Sequence, residues 1–164
     1  MKKFKFCILA GLLTLLSVSA FAEGRLPANI QTAFQTLYPQ ATDVEWEQMA
    51  GCYVAEFIAD GQEIDVWFNK QAEWVMTETD VESLEKVPPP VAEAFMSSTM
   101  TGMRLRDIRI ITFPKHPTVI IIEVEQYNSD EEFQLFYAPD GKLLQSLDVT
   151  ELGGEIYPGL FFND

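Results

Sequence analysis

The sequence predicts an α+β fold made of two tandem units, each a helix followed by a four-stranded antiparallel sheet. Three observations predict it: a weak internal repeat, a helical apolar stripe opening each copy, and short strands joined by turn signals filling the rest of both. Leu26-Pro27-Ala28-Asn29-Ile30-Gln31-Thr32-Ala33-Phe34 aligns with Val87-Pro88-Pro89-Pro90-Val91-Ala92-Glu93-Ala94-Phe95 at an offset of 61. Each opens with an apolar residue and Pro, then places an apolar residue, Ala and Phe at the same steps. Glu63-Ile64-Asp65-Val66-Trp67-Phe68 aligns with Glu132-Phe133-Gln134-Leu135-Phe136-Tyr137 at an offset of 69. Asp80-Val81 and Asp148-Val149 close the copies, and the extra length of the second falls around Phe113 to Asp130.

Taken in order, residues 1–22 are predicted to be a cleaved secretory signal. Met1-Lys2-Lys3-Phe4-Lys5 is basic, Phe6 to Leu13 is almost wholly apolar, and Ala20-Phe21-Ala22 fits a small-residue cleavage site. The apolar stretch is short for a membrane span and is broken by Thr14 and Ser17. Cleavage after Ala22 puts the mature chain in the periplasm or outside the cell, and no later stretch suggests membrane embedding.

The first unit is assigned to 23–86. Ile30, Ala33, Phe34 and Leu37 recur at helical spacing, with Pro27 suited to a first turn and Pro39 ending the run. Strands are predicted at Val44 to Gln48, Tyr53 to Ala59, Glu63 to Phe68 and Glu73 to Thr77, with a hairpin at Asp60-Gly61. Thr79-Asp80-Val81-Glu82 has the form of a capping box for a short linking helix. The second unit is 87–164. Pro88-Pro89-Pro90 leads a helix with Val91, Ala94 and Phe95 on its stripe and Gly102 as its stop. Strands follow at Arg104 to Phe113, Val119 to Gln126, Glu131 to Tyr137 and Lys142 to Leu147, and then an aromatic tail, Gly153 to Phe162, expected to dock on the body.

Charge narrows the function. Eleven Lys and Arg against 25 Asp and Glu give −14, and loss of the signal, with its three lysines and no acid, takes this to −17. Such a chain repels nucleic acid and anionic lipid, and no basic stripe is visible. Cys52 is the one cysteine of the mature chain, so no internal disulfide is expected, and its apolar surroundings favour an inert thiol. His116 lies in a predicted turn beside Lys115 and Pro117, with no nucleophile motif near it. No phosphate loop, dinucleotide fingerprint, zinc motif or calcium loop is present, so no catalytic residue, cofactor or metal ligand is assigned. The chain is not expected to be an enzyme.

Alternation along the third strand of each unit puts Ile64, Val66 and Phe68, and Phe133, Leu135 and Tyr137, on the helix-covered side. The opposite side carries Glu63, Asp65 and Trp67, matched by Glu132, Gln134 and Phe136. Large aromatics rimmed by acids mark these six residues as a candidate partner-binding face, unless the tail or another sheet covers it. Trp46 and Trp74 are weaker candidates, Trp46 for the same surface. The expected partner is an envelope or secreted protein, basic in character. A small-ligand (glycan or peptide) binder and a divalent-cation binder are the alternatives.

The Pro-led helix, Tyr38-Pro39-Gln40-Ala41, Val44-Glu45-Trp46, Tyr53-Val54-Ala55-Glu56-Phe57, the Glu63 to Phe68 strand and Trp74-Val75 resemble the PepSY-like, or beta-lactamase-inhibitor-like, exported proteins of Bacteroides and relatives. The resemblance covers nearly all of 26–149 in two passes. Ala72 departs from the usual Gly before the fourth-strand aromatic, whereas Gly141 keeps it. The second copy lacks the Tyr-Pro and Trp signals, with Thr99-Met100 and Asp107 in their place. The resemblance implies tandem helix-plus-four-stranded-sheet units forming one curved sheet surface, an envelope location, no catalysis, and a concave sheet face that grips a partner protein, in some cases as an inhibitor.

Overall fold

Ile30 and Phe34, four residues apart, lie on one side of a helix spanning Ala28–Leu37 (α1). The carbonyl of Pro27 starts it by accepting from the N–H groups of Ile30 and Gln31. Pro88 does the same for Val91 and Ala92 at the start of the second helix, Pro89–Met96 (α2), whose prolines occupy a first turn that needs no N–H. This helix ends before the predicted stop. Gly102 instead closes a separate 3-10 turn, Thr99–Gly102, where Ser98 Oγ accepts from the Met100 N–H at 3.2 Å. The structure, a computed structural model, describes residues 26–151 and 153–162. The predicted signal, residues 1–22, lies outside them.

Four strands follow each helix: β1 (Glu45–Met49), β2 (Cys52–Ala59), β3 (Gln62–Phe68) and β4 (Trp74–Asp80) after α1, and β5 (Arg104–Thr112), β6 (Val119–Glu125), β7 (Glu132–Tyr137) and β8 (Leu143–Asp148) after α2. The α+β class is as expected, but the eight strands form one antiparallel sheet in chain order, as the family resemblance implies, and not two separate four-stranded sheets. β4 and β5 join the halves, with Thr77 opposite Thr112 and Asp80 opposite Arg109. That ladder corrects the expected capping box. Thr79 and Asp80 are drawn into β4 by pairing with Ile110 and Arg109. The linking helix shrinks to a 3-10 turn at Leu84–Lys86, where the Ser83 side chain makes no cap.

Both helices lie on one side of the sheet. Ile30 and Phe34 pack on Ala55, Phe57, Val66 and Phe68, with Trp46 edge-on to Phe34 at 5.3 Å between ring centroids. Trp46 is therefore on the helix side, not on the opposite surface where it was sought. Trp74 is on this side too, its indole N–H donating to Thr77 Oγ1 at 3.0 Å. Val91 and Phe95 pack on Ile108, Ile120, Ile122, Leu135 and Tyr137.

The third hairpin of each half is the same construction. Asn69 N–H donates to Glu73 O and Ala72 N–H to Asn69 O; Ala138 N–H donates to Lys142 O and Gly141 N–H to Ala138 O. A register shift falls at Trp67/Phe68 in one and at Phe136/Tyr137 in the other, again 69 residues apart. The turn needs a left-handed residue. Gly141 supplies φ +87° without strain, and Ala72 is forced to φ +65°. A Cβ on Gly141 would also collide with the Pro90 carbonyl at the start of α2.

Thermal unfolding should therefore separate these positions. Ala72→Gly relieves a left-handed alanine and should stabilise by up to about 1 kcal/mol, net of the added chain entropy. Gly141→Ala meets both strain and backbone, and should destabilise by about 2 kcal/mol or more. Equal effects at the two sites would contradict this account of the turn.

Candidate functional site

The side of the sheet away from the helices carries the other half of every strand's alternation. Its side chains divide into an apolar band and an acidic one. Val54, Trp67 and Met76 stand side by side across β2, β3 and β4, and the band continues through Ile111, Ile121 and Phe136. The C-terminal segment lies over it, contributing Ile156, Leu160, Phe161 and Phe162 to the same cluster. Phe161 meets Phe113 at 5.0 Å between centroids, and His116, exposed in its turn, meets Phe162 at 4.8 Å.

The tail thus docks, as expected, and it changes the standing of the predicted face. Trp67 and Phe136 are each only 2% exposed and Gln134 1%. These three are not presented to solvent as an uncovered surface, because an aromatic tail that would otherwise be exposed to water takes that position. Gln134 holds it there: its Nε2 donates to the Gly154 carbonyl at 2.6 Å and to Glu123 Oε2 at 3.0 Å. Glu132 is half-buried at the end of β7, its backbone N–H donating to Thr150 Oγ1 at 3.1 Å. Glu63 is exposed and Asp65 half-buried, both outside the tail's cluster. The six predicted residues therefore share a face but split into a covered group and an open pair.

Beside the open pair stand residues that sequence reasoning missed. Glu45 is directly opposite Glu56, Glu56 opposite Asp65, and Asp65 opposite Glu78, giving four carboxylates in an unbroken row across β1 to β4. Glu47, Glu63 and Asp80 flank the row on the same face, and Ile58, opposite Glu63, is 74% exposed. Applying alternation to the neighbouring strands finds Glu45 and Glu56. Glu78 and Asp80 lie beyond the predicted fourth strand, which stops at Thr77, and Asp80 falls within the predicted capping box.

One guanidinium serves this edge of the patch. Arg109 Nε lies 3.3 Å from Glu78 and 3.9 Å from Asp80, and Nη2 lies 2.7 Å from Asp107 and 3.7 Å from Glu123. Its Nη1 also donates to the Gly154 carbonyl at 3.3 Å. Arg104 and Arg106 are spent on Glu125, so the row on β1 to β3 has no cation of its own in the ion pairs among the described residues.

Like charges directly opposite one another destabilise a sheet, and the protonation equilibria register it. Burial, followed by repulsion from Glu56 and Glu63, raises the Asp65 carboxyl to about 7. Burial raises Glu78 to about 8 although Arg109 pulls the other way, and Asp80 to about 6. Glu56 is also raised, by burial and by Glu63, Glu45 and Glu47. Cys52 is half-buried against the apolar band and its thiol is raised by burial, in keeping with an inert role. Among the described residues no group of three His, Cys, Asp or Glu could hold a metal ion. No helix among them is long and apolar enough to cross a membrane.

Comparison with known proteins adds a family. The family described as "Putative beta-lactamase-inhibitor-like, PepSY-like" matches residues 51–145. A crystal structure of a DUF2874 family protein from Bacteroides ovatus is similar, with 37% identity, 85% of this chain and 99% of that one covered, and a TM-score of 0.81. A BLIP-like protein from Bacteroides fragilis shares 39% identity over 82% of this chain and 96% of its own, with a TM-score of 0.75. A Bacteroides eggerthii structure described as "putative periplasmic proteins" shares 32% identity over 80% and 94%, with a TM-score of 0.76. No curated protein matches.

The acid row carries a pH dependence. Glu56, Asp65, Glu78 and Asp80 bind protons more tightly folded than unfolded. Their contribution is complete below about pH 4 and is lost as pH rises through about 8. At low ionic strength the Tm at pH 8 should lie roughly 3 °C or more below that at pH 5.5. The gap should narrow in Glu78→Gln and Asp65→Asn. A wild-type Tm that is flat or rising over this interval would contradict the assignment.

Proposed function

The chain belongs to the beta-lactamase-inhibitor-like, PepSY-like family, and on that premise we propose that it is a non-catalytic protein-binding module of the cell envelope. Its partner is a basic protein that docks on the helix-free face of the sheet. The observation that carries this reading is the row Glu45, Glu56, Asp65 and Glu78. Four adjacent carboxylates cost stability, and folds keep such violations of local preference where function requires them. A partner's Lys and Arg side chains would neutralise the row and restore what it costs. The electrostatic field would also speed encounter and exclude acidic competitors.

Glu63 and Asp65 are the open part of the proposed site, with Glu56 and Ile58 beside them; Trp67, Phe136, Gln134 and Glu132 are its covered or flanking part. Location in the periplasm, with residues 1–22 as a cleaved signal, is part of the proposal and is supported by the description of the Bacteroides eggerthii relative. Descent of 23–86 and 87–164 from one duplicated unit belongs to it as well. The matching hairpins at Asn69 to Glu73 and Ala138 to Lys142 support that duplication, as do the matched prolines at the helix starts.

The test sets binding against stability. Wild-type chain and Glu56→Gln/Asp65→Asn are used as bait in native envelope extract, and Tm is measured on both. The double variant should be more stable at pH 8 and yet lose the captured protein, which salt should release from wild type, as pairing of exposed charges requires. Capture that is indifferent to both the substitutions and salt would remove this reading.

A further inference from the structure

The segment from Gly153 to Phe162 crosses the apolar band without joining the sheet. Its backbone–backbone hydrogen bonds are local: Gly153 N–H to Val149 O, Leu160 N–H to Tyr157 O, and Phe161 and Phe162 N–H to Pro158 O. Its polar ties to the sheet are the two donors on the Gly154 carbonyl, Arg109 and Gln134. The ladders from β1 to β8 are complete without it. Gly153 and Gly154, at φ +77° and +63°, stand where it leaves β8, in a conformation from which glycine can depart freely.

The fit beneath it is incomplete. The indole N–H of Trp67, buried in the cluster that the segment joins, finds no acceptor among the described residues. A cavity of about 370 Å³ remains beside its aromatic end, walled by Phe113, Val119, Phe136, Leu160, Phe161 and Phe162. Glu155 follows Gly154, whose Cα faces the Glu123 carboxylate, so the segment brings a further negative charge to an acidic neighbourhood. An occupant shaped by this face alone would do better on all three counts.

We propose that residues 153–162 are a displaceable strap. They occupy the aromatic half of the face in the free protein, and an aromatic segment carrying Lys or Arg displaces them. Such a segment would fill the cavity beside Phe113 and Phe136, offer an acceptor to the Trp67 indole, and place its cation against Asp65 and Glu78. The nature of the displacing segment rests on the protein-binding reading above; the existence of the strap does not.

Hydrogen exchange on the wild-type chain tests the strap without any partner. The amides of Leu160, Phe161 and Phe162 and the Trp67 indole N–H should exchange at least about 100-fold faster than the amides of Val66 and Ile121, as a sub-global opening requires. Exchange of strap and sheet together would overturn the proposal. A second arm adds a synthetic peptide copying residues 153–162, and the same peptide with Glu155→Lys, to wild type and to Phe161→Ser/Phe162→Ser. The peptides should bind the variant at least about tenfold tighter than wild type, where the tethered strap competes. The Lys peptide should bind tighter than the Glu peptide at low salt only. Equal affinity of either peptide for both chains would overturn the strap, and equal affinity of the two peptides would overturn the cationic displacer. If strap exchange is fast while envelope extract yields no partner, the function reading fails and the strap stands.

Discussion

An eight-stranded antiparallel sheet with both helices on one side leaves a second side, and strand alternation obliges that side to carry half the side chains. This is the constraint on which the rest depends. Where β2 to β7 place Val54, Trp67, Met76, Ile121 and Phe136, the second side is as apolar as a core and must be kept from water. No third helix is present among the described elements to do so, and the C-terminal segment takes the role. Where β1 to β4 place Glu45, Glu56, Asp65 and Glu78, the same side is hydrophilic, open at Glu45 and Glu56 and closing through Asp65 to Glu78, whose side chain is 12% exposed. The boundary between the two is held by Arg109 and Gln134, which face carboxylates in one direction and the Gly154 carbonyl in the other.

Continuity through β4 and β5 is what makes these two zones one surface. Two separate four-stranded sheets would have divided the acids of the first half from the aromatic groups of the second. The Asp80–Arg109 register instead sets them edge to edge, with the arginines of β5 beside the acids of β4 and β6. The balance is uneven. Of the arginines on β5, two are engaged by Glu125, and the third is shared among four carboxylates. A chain with 25 acids and 11 basic residues can leave surplus charge anywhere. Its concentration in one row across four strands is a feature of register, not of composition.

Much of the fold was legible because it is written in local chemistry. Prolines mark both helix starts, Ala50-Gly51 and Asp60-Gly61 adopt the positive φ values of tight hairpin turns, and period-2 alternation correctly assigned Val66, Phe68, Leu135 and Tyr137 to the helix side. What could not be read were facts of long-range pairing. Thr79 and Asp80 look like a helix start until β5 arrives beside them. Trp67 and Phe136 share the predicted face, but only the tail's docked position decides that they are covered. The acid row was legible only in part: Asp65 is on the predicted face and alternation reaches Glu45 and Glu56, but Glu78 joins them only because the register with β5 carries β4 past Thr77.

Engagement of the helix-free face by a cationic protein, as proposed, leaves a footprint on the sheet. The most direct measurement is the footprint of a lysine-rich peptide on the isotopically labelled chain, followed by backbone chemical shifts during titration at low salt. Shifts should be confined to β1 to β4 around Glu45, Glu56, Asp65 and Glu78, extending to Arg109 and the strap, with α1 and α2 unmoved. Shifts scattered over the acidic surface as a whole, or centred on the helices, would contradict that engagement.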